Sequence, residues 1–80
     1  MGKEVIQEEL VVFLEDILPG IDFASSDTLV DDGIIDSLAI TTIISEISME
    51  YDINIPFEEL SSKNFNSIKL ISELIGRCMK

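Results

Sequence analysis

Apolar residues recur along this chain at helical spacing. Ile6, Leu10, Phe13, Leu14 and Ile17 stand at offsets 0, 4, 7, 8 and 11, which places them on one face of a helix. A first helix over about residues 3–18 follows. Glu4, Glu8, Glu9, Glu15 and Asp16 lie mainly off the stripe, and Pro19 and Gly20 stop it. Ile40, Ile43, Ile44, Ile47 and Tyr51 repeat the pattern at offsets 0, 3, 4, 7 and 11. They predict a second helix that starts at Asp36 or Ser37 and ends near Tyr51, with Asp36 as its N-cap. Its β-branched pairs would suit a strand, but the spacing is 3.6 and not 2, so helix wins. Ile68, Ile71, Leu74, Ile75 and Cys78 mark the core face of a last helix over about residues 67–78, with Asn66 as the expected N-cap.

The segments between these stripes are shorter on pattern. Residues 52–55 read as a turn. Pro56 suits the first position of a short third helix over residues 57–60, and residues 61–65 lead into the last one. Residues 21–36 form a long connection rich in Asp and Ser, with Leu29, Ile34 and Ile35 as apolar anchors and room for a helical turn near residues 25–29. Unstructured loops of this length are uncommon in small domains and are often functional. Three amphipathic helices and a short one must bury their stripes against each other. The prediction is an all-α fold, a small four-helix bundle with a long first loop.

Charge narrows the partners. Sixteen acidic residues face five basic ones, for a net charge of −11. Nucleic acid and anionic membranes are disfavoured, because both are bound through clustered Lys and Arg. Proteins with basic patches are favoured, approached by long-range steering. Hydrophobic residues at 46% against charged residues at 26% fit a folded domain and not a disordered tail. A domain of 80 residues buries only about 60% of its unfolded surface, so modest stability is expected. The single cysteine, Cys78, allows no internal disulfide and is read as a small apolar side chain. Residues 1–9 lack the charge order of a signal peptide, and no apolar run is long enough for a membrane span. The expected setting is cytoplasmic.

Several chemistries are excluded by what is missing. The chain has no His, which removes Ser–His and Cys–His nucleophilic catalysis. It has no Cys/His cluster for zinc and no glycine-rich phosphate loop. Asp27, Asp31, Asp32 and Asp36 lack the ligand spacing of a calcium loop. No metal site and no enzymatic activity are expected. What remains is the segment Asp31-Asp32-Gly33-Ile34-Ile35-Asp36-Ser37-Leu38, where a long loop feeds the N-terminus of the central helix. The first-turn N–H groups point outward there, and the helix dipole adds roughly half a positive charge. A phosphate on Ser37 Oγ would sit at a natural anion site. Gly33 permits a tight turn before the helix, and Ile34 and Ile35 can pin the loop so that Ser37 faces outward. Asp-Ser is also a common capping pair in any helix.

Gly33-Ile34-Ile35-Asp36-Ser37-Leu38 resembles the attachment motif of acyl carrier proteins, Asp-Ser-Leu after a glycine-bearing loop. The likeness extends to Tyr51-Asp52-Ile53-Asn54-Ile55-Pro56, similar to the family's junction into its short third helix, and to Asn66-Ser67-Ile68, similar to the opening of its last helix. It covers nearly the whole of residues 1–80 as one carrier-like domain. The resemblance implies that Ser37 bears a covalent 4′-phosphopantetheine, added by a phosphopantetheinyl transferase from coenzyme A with magnesium, which makes the chain a phosphoprotein. Asp36 takes the place of the aspartate that helps this transfer. The arm would carry an acyl or aminoacyl group as a thioester from a loading enzyme to a downstream synthase or transferase. The carrier is expected to be a non-catalytic monomer.

Subtracting the apolar stripe from the second helix leaves Leu38, Ala39, Thr42, Ser45, Glu46 and Met49 as the expected partner-docking face. In this helix only Glu46 and Glu50 are acidic, whereas carriers of fatty-acid synthesis usually have several acidic residues there. That departure tells against fatty-acid synthesis, and Gly33-Ile34-Ile35-Asp36-Ser37 with Glu58-Glu59-Leu60 and Asn64-Phe65 is more similar to discrete D-alanyl carriers and stand-alone carriers of polyketide or nonribosomal peptide pathways. The competing expectation is an unmodified helical interaction module in which Ser37 is only a helix cap.

Overall fold

The computed structural model describes residues 5–79. They form four α-helices with no strand among them: α1 (Gln7–Ile17), α2 (Ser37–Tyr51), α3 (Ser62–Phe65) and α4 (Ile68–Cys78), plus a 3-10 turn at Phe57–Glu59. The helix stripes meet in one core, a small helical bundle, where Leu10, Leu14, Ile43, Ile47, Ile71, Leu74 and Ile75 are fully buried. Helix α4 packs against both α1 and α3.

Helix α1 starts later than the spacing predicts. Lys3 and Glu4, placed in its first turn by the sequence, lie outside the described residues. Ile6 is the N-cap, with extended backbone at φ −105° and ψ 119°. It is 42% exposed, not part of the buried stripe, because a capping residue has not yet entered the helical register. Val5 packs against the core in its place. Phe13 and Ile17 are half-buried, as the edges of the stripe should be.

The long connection is anchored differently from the expectation. Phe23, Leu29 and Ile35 are buried, whereas Ile34 is 42% exposed. Adjacent residues in an irregular chain point apart, so one of the Ile34–Ile35 pair faces out. The turn expected near residues 25–29 is replaced by two, at residues 23–25 and 29–33. In the second, Asp32 N–H donates to the Thr28 carbonyl (2.8 Å) and Gly33 N–H to that of Val30 (3.0 Å). Gly33 closes the turn at φ +72°, a conformation that favours glycine.

Helix α2 ties its two threonines back to its own first turn through their hydroxyls. Thr41 Oγ1 donates to the Ser37 carbonyl (2.9 Å) and Thr42 Oγ1 to that of Leu38 (3.1 Å). The helix ends at Asp52, which takes the left-handed conformation at φ 55° and ψ 52°, a position Asp and Asn tolerate better than most residues. Tyr51, half-buried in the last turn, has its phenol pKa raised above the ordinary 10.0, first by burial and then by the Glu50 and Glu9 carboxylates. A raised folded-state pKa stabilises the neutral form. That stability is complete below pH 10.0 and is lost as pH rises through the folded value. A spectrophotometric titration should therefore find the native phenol ionising later than free tyrosine, with denaturant midpoints falling in the same alkaline window. Ionisation at the unfolded value would refute this.

The third helical region splits in two. Pro56 precedes the 3-10 turn as its cap, with φ −63° and ψ 147°, and is not its first helical residue. Residues 62–65, expected as a simple lead-in, form α3, which brings Phe65 fully into the core. Arg77 closes this end of the bundle, reaching Glu59 Oε1 (3.4 Å) and Asn64 Oδ1 (3.2 Å). Ser67, not Asn66, caps α4, accepting from Leu70 N–H at 3.1 Å. The buried Ser72 hydroxyl donates to the Lys69 carbonyl (2.8 Å), so its burial leaves no orphan. Cys78 is half-buried against the core.

Candidate functional site

The loop, its anchors and α2 converge on Ser37. Ile35 is pinned in the core, and its N–H donates to the Leu29 carbonyl at 3.0 Å. The next residue, Asp36, is extended and exposed. Its Oδ1 accepts from Ala39 N–H at 2.9 Å, and its carbonyl accepts from Ile40 N–H at 2.9 Å. Asp36 is thus the N-cap that the sequence predicts. Ser37 is the first residue of α2 and is exposed. Of the outward first-turn N–H groups, that of Ala39 is taken by the cap. Those of Ser37 and Leu38 lie at the open end of the helix, where the dipole favours an anion.

Beside Ser37 runs a groove of about 310 Å³ lined by Ser37, Ile40, Thr41, Phe57 and Leu60. It joins the start of α2 to the 3-10 turn. Phe57 is 84% exposed, and sequence reasoning placed it only at a helix start. The signal was there in an aromatic residue following Ile55-Pro56, at a position with no helical stripe to bury it.

The expected docking residues fall into two groups. Leu38 and Met49 are 75% and 70% exposed, and Ser45 is exposed with them. Ala39, Thr42 and Glu46 are half-buried. Ala39 leans on the core, and the Thr42 hydroxyl is committed to the Leu38 carbonyl. Exposed apolar area on α2 is therefore concentrated near its two ends. Among the described residues no group of three or more acidic, His or Cys side chains is placed to hold a metal ion, and no helix is long and apolar enough to cross a membrane.

Residues 4–75 match the family described as the phosphopantetheine attachment site. Among curated proteins and solved structures, none matches the chain significantly. Members of this family carry 4′-phosphopantetheine covalently, typically on a serine. The residues present fit that group. Ser37 offers an exposed primary hydroxyl at the start of α2, and the groove beside it has room for part of a flexible chain.

Proposed function

Because the chain belongs to the phosphopantetheine attachment-site family, we propose that it is a carrier protein whose arm is attached to Ser37. The observation that carries this reading is the exposed Ser37 hydroxyl in the first turn of α2, directly after the Asp36 cap. When bound, the arm supplies a terminal thiol that holds an acyl or aminoacyl group as a thioester. The protein's own residues do the rest. Ser37 Oγ accepts the phosphopantetheine moiety from coenzyme A, losing its proton as adenosine 3′,5′-bisphosphate departs. The Ser37 and Leu38 N–H groups offset the charge of the resulting phosphodiester. Asp36 fixes the helix start and serves as a recognition point for the phosphopantetheinyl transferase.

Three partners follow: that transferase, an enzyme that loads the acyl or aminoacyl group, and a downstream synthase or transferase that takes it. The sequence holds no His to serve as a base near neutral pH, which supports a non-catalytic role. The sparse acidity of α2 favours a secondary-metabolite or aminoacyl pathway over fatty-acid synthesis. We place the carrier in the cytoplasm, as a monomer with one carrier domain over residues 1–80.

Docking runs along α2 through Leu38, Ala39, Thr42, Ser45, Glu46 and Met49. Truncating an exposed apolar anchor at a well-packed contact costs about 1–2 kcal/mol. Leu38→Ala and Met49→Ala are each expected to weaken partner binding about tenfold, while raising salt from low to moderate changes it only about threefold. Titration calorimetry at two salt concentrations measures both. An affinity that collapses with salt and ignores the two variants would overturn the apolar docking mode.

The test of the carrier reading itself is intact mass. After incubation with coenzyme A, magnesium and a promiscuous transferase, the protein should gain the mass of one arm and never of two. No gain with any transferase would favour the unmodified interaction module.

A further inference from the structure

Asn66 was expected to cap α4, yet its side chain is turned elsewhere. Its Oδ1 accepts from Val30 N–H at 2.9 Å and from Asp31 N–H at 3.0 Å, and its Nδ2 donates to Asp31 Oδ2 at 3.1 Å. Its backbone carbonyl accepts from Leu29 N–H at 2.9 Å. One residue thus binds three consecutive residues of the long loop from 35 to 37 positions away in sequence. These amides need acceptors, because the turn at residues 28–33 leaves them outside any helix. The Leu29 carbonyl in turn accepts from Ile35 N–H at 3.0 Å, and Asp36 and Ser37 follow directly. A connection this long has much conformational entropy to lose. The contacts at Asn66 hold it at its midpoint.

We propose that Asn66 is the positioning residue for Ser37, tethering the loop so that the Asp36–Ser37 corner is pre-set for the modifying transferase. The proposal rests on the carrier reading above. Its chemistry is specific. Alanine removes the two acceptor contacts and the donor together. Aspartate keeps the acceptors, loses the donor and sets a second carboxylate against Asp31. The paired change Asn66→Asp with Asp31→Asn restores one donor and one carboxylate across the same gap.

The test combines NMR order parameters on the unmodified protein with transfer kinetics. In Asn66→Ala the order parameters of residues 29–37 should fall while those of α4 hold, since Ser67 still caps it. With the corner correctly placed for about a tenth of the time, KM for the carrier rises about tenfold and kcat stays within about twofold. Asn66→Asp should show the same split, and the paired change should recover most of it. A residue that served only global stability would lower the melting temperature and leave KM unchanged in the folded variants. Should Asn66→Ala fail to fold, the comparison of Asn66→Asp with the paired change decides. Unchanged loop order, or an unchanged KM, overturns the proposal. Absence of any arm on the wild type is a different failure: it sinks the carrier reading, and loop order in the variants still decides the tether.

Discussion

Ser37→Ala is expected to yield a folded protein that gains no arm under any condition in which the wild type gains one. The effect on modification is total because the arm's phosphodiester needs a hydroxyl at that position, and alanine offers none. The effect on stability is small, and the reason is local. Ser37 is exposed and lies one residue past the cap, so the capping bond from Asp36 Oδ1 to Ala39 N–H survives. Alanine is the better helix former by a few tenths of a kcal/mol. Exposed substitutions away from such features stay within about 0.5 kcal/mol, which corresponds to a melting shift of no more than about 4 °C in a domain of this size. Intact mass and a thermal melt on the same sample read both quantities. An arm found on the alanine variant would move the attachment point to another serine, and a variant that unfolds would show that Ser37 holds the helix start and not the cargo.

Most of the fold could be read from spacing alone. The stripes of α1, α2 and α4 are visible because residues three and four apart share a helix face, and the buried sets largely match them. Asp36 was legible as a cap because a short acidic side chain directly before an apolar period has few other uses. What escaped was settled by tertiary contacts. Asn66 and Ser67 are both good caps, and their order cannot be ranked locally. The fold gives the role to Ser67 because Asn66 is claimed by loop amides more than thirty positions away. Ile34 and Ile35 are equally apolar, and which one is buried depends on the turn that Gly33 closes. Phe23 lies outside any periodic stretch, so nothing in its neighbours marks it as an anchor. The single-turn helix α3 is too short to show a period at all.

For the site, the legible part was the Asp36–Ser37 corner, and the hidden part was its surroundings. The groove beside Ser37 arises from Phe57 and Leu60, which reach α2 from twenty positions downstream. Motif spacing places these residues near a helix start but does not say what they line. Exposure along α2 was also partly misjudged. Ala39, Thr42 and Glu46 occupy the outward half of a helical wheel, yet each is half-buried, Ala39 against the core. A wheel knows the axis of its own helix and nothing of the loops laid beside it.

Leu74→Ala should do the opposite of Ser37→Ala, weakening the fold and sparing the chemistry. Leu74 is fully buried on α4, the helix that packs against both α1 and α3. Its flanking core residues Ile71 and Ile75 are held by the same packing. Emptying such a site costs about 2–5 kcal/mol, as lost burial plus an unfilled cavity. A domain of 80 residues has a total stability of only about 4–12 kcal/mol. The variant should therefore melt on the order of 10–30 °C lower, read by circular dichroism, while Leu38→Ala at the exposed start of α2 melts close to the wild type. Loading with the arm gives the second readout. Ser37 is intact in the Leu74→Ala protein, so its modification should track the folded fraction, proceeding well below the new midpoint and failing above it. An arm added just as fast to the melted chain would mean that the transferase reads a short peptide around Ser37. The loop, the cap and the bundle would then have no part in presenting it.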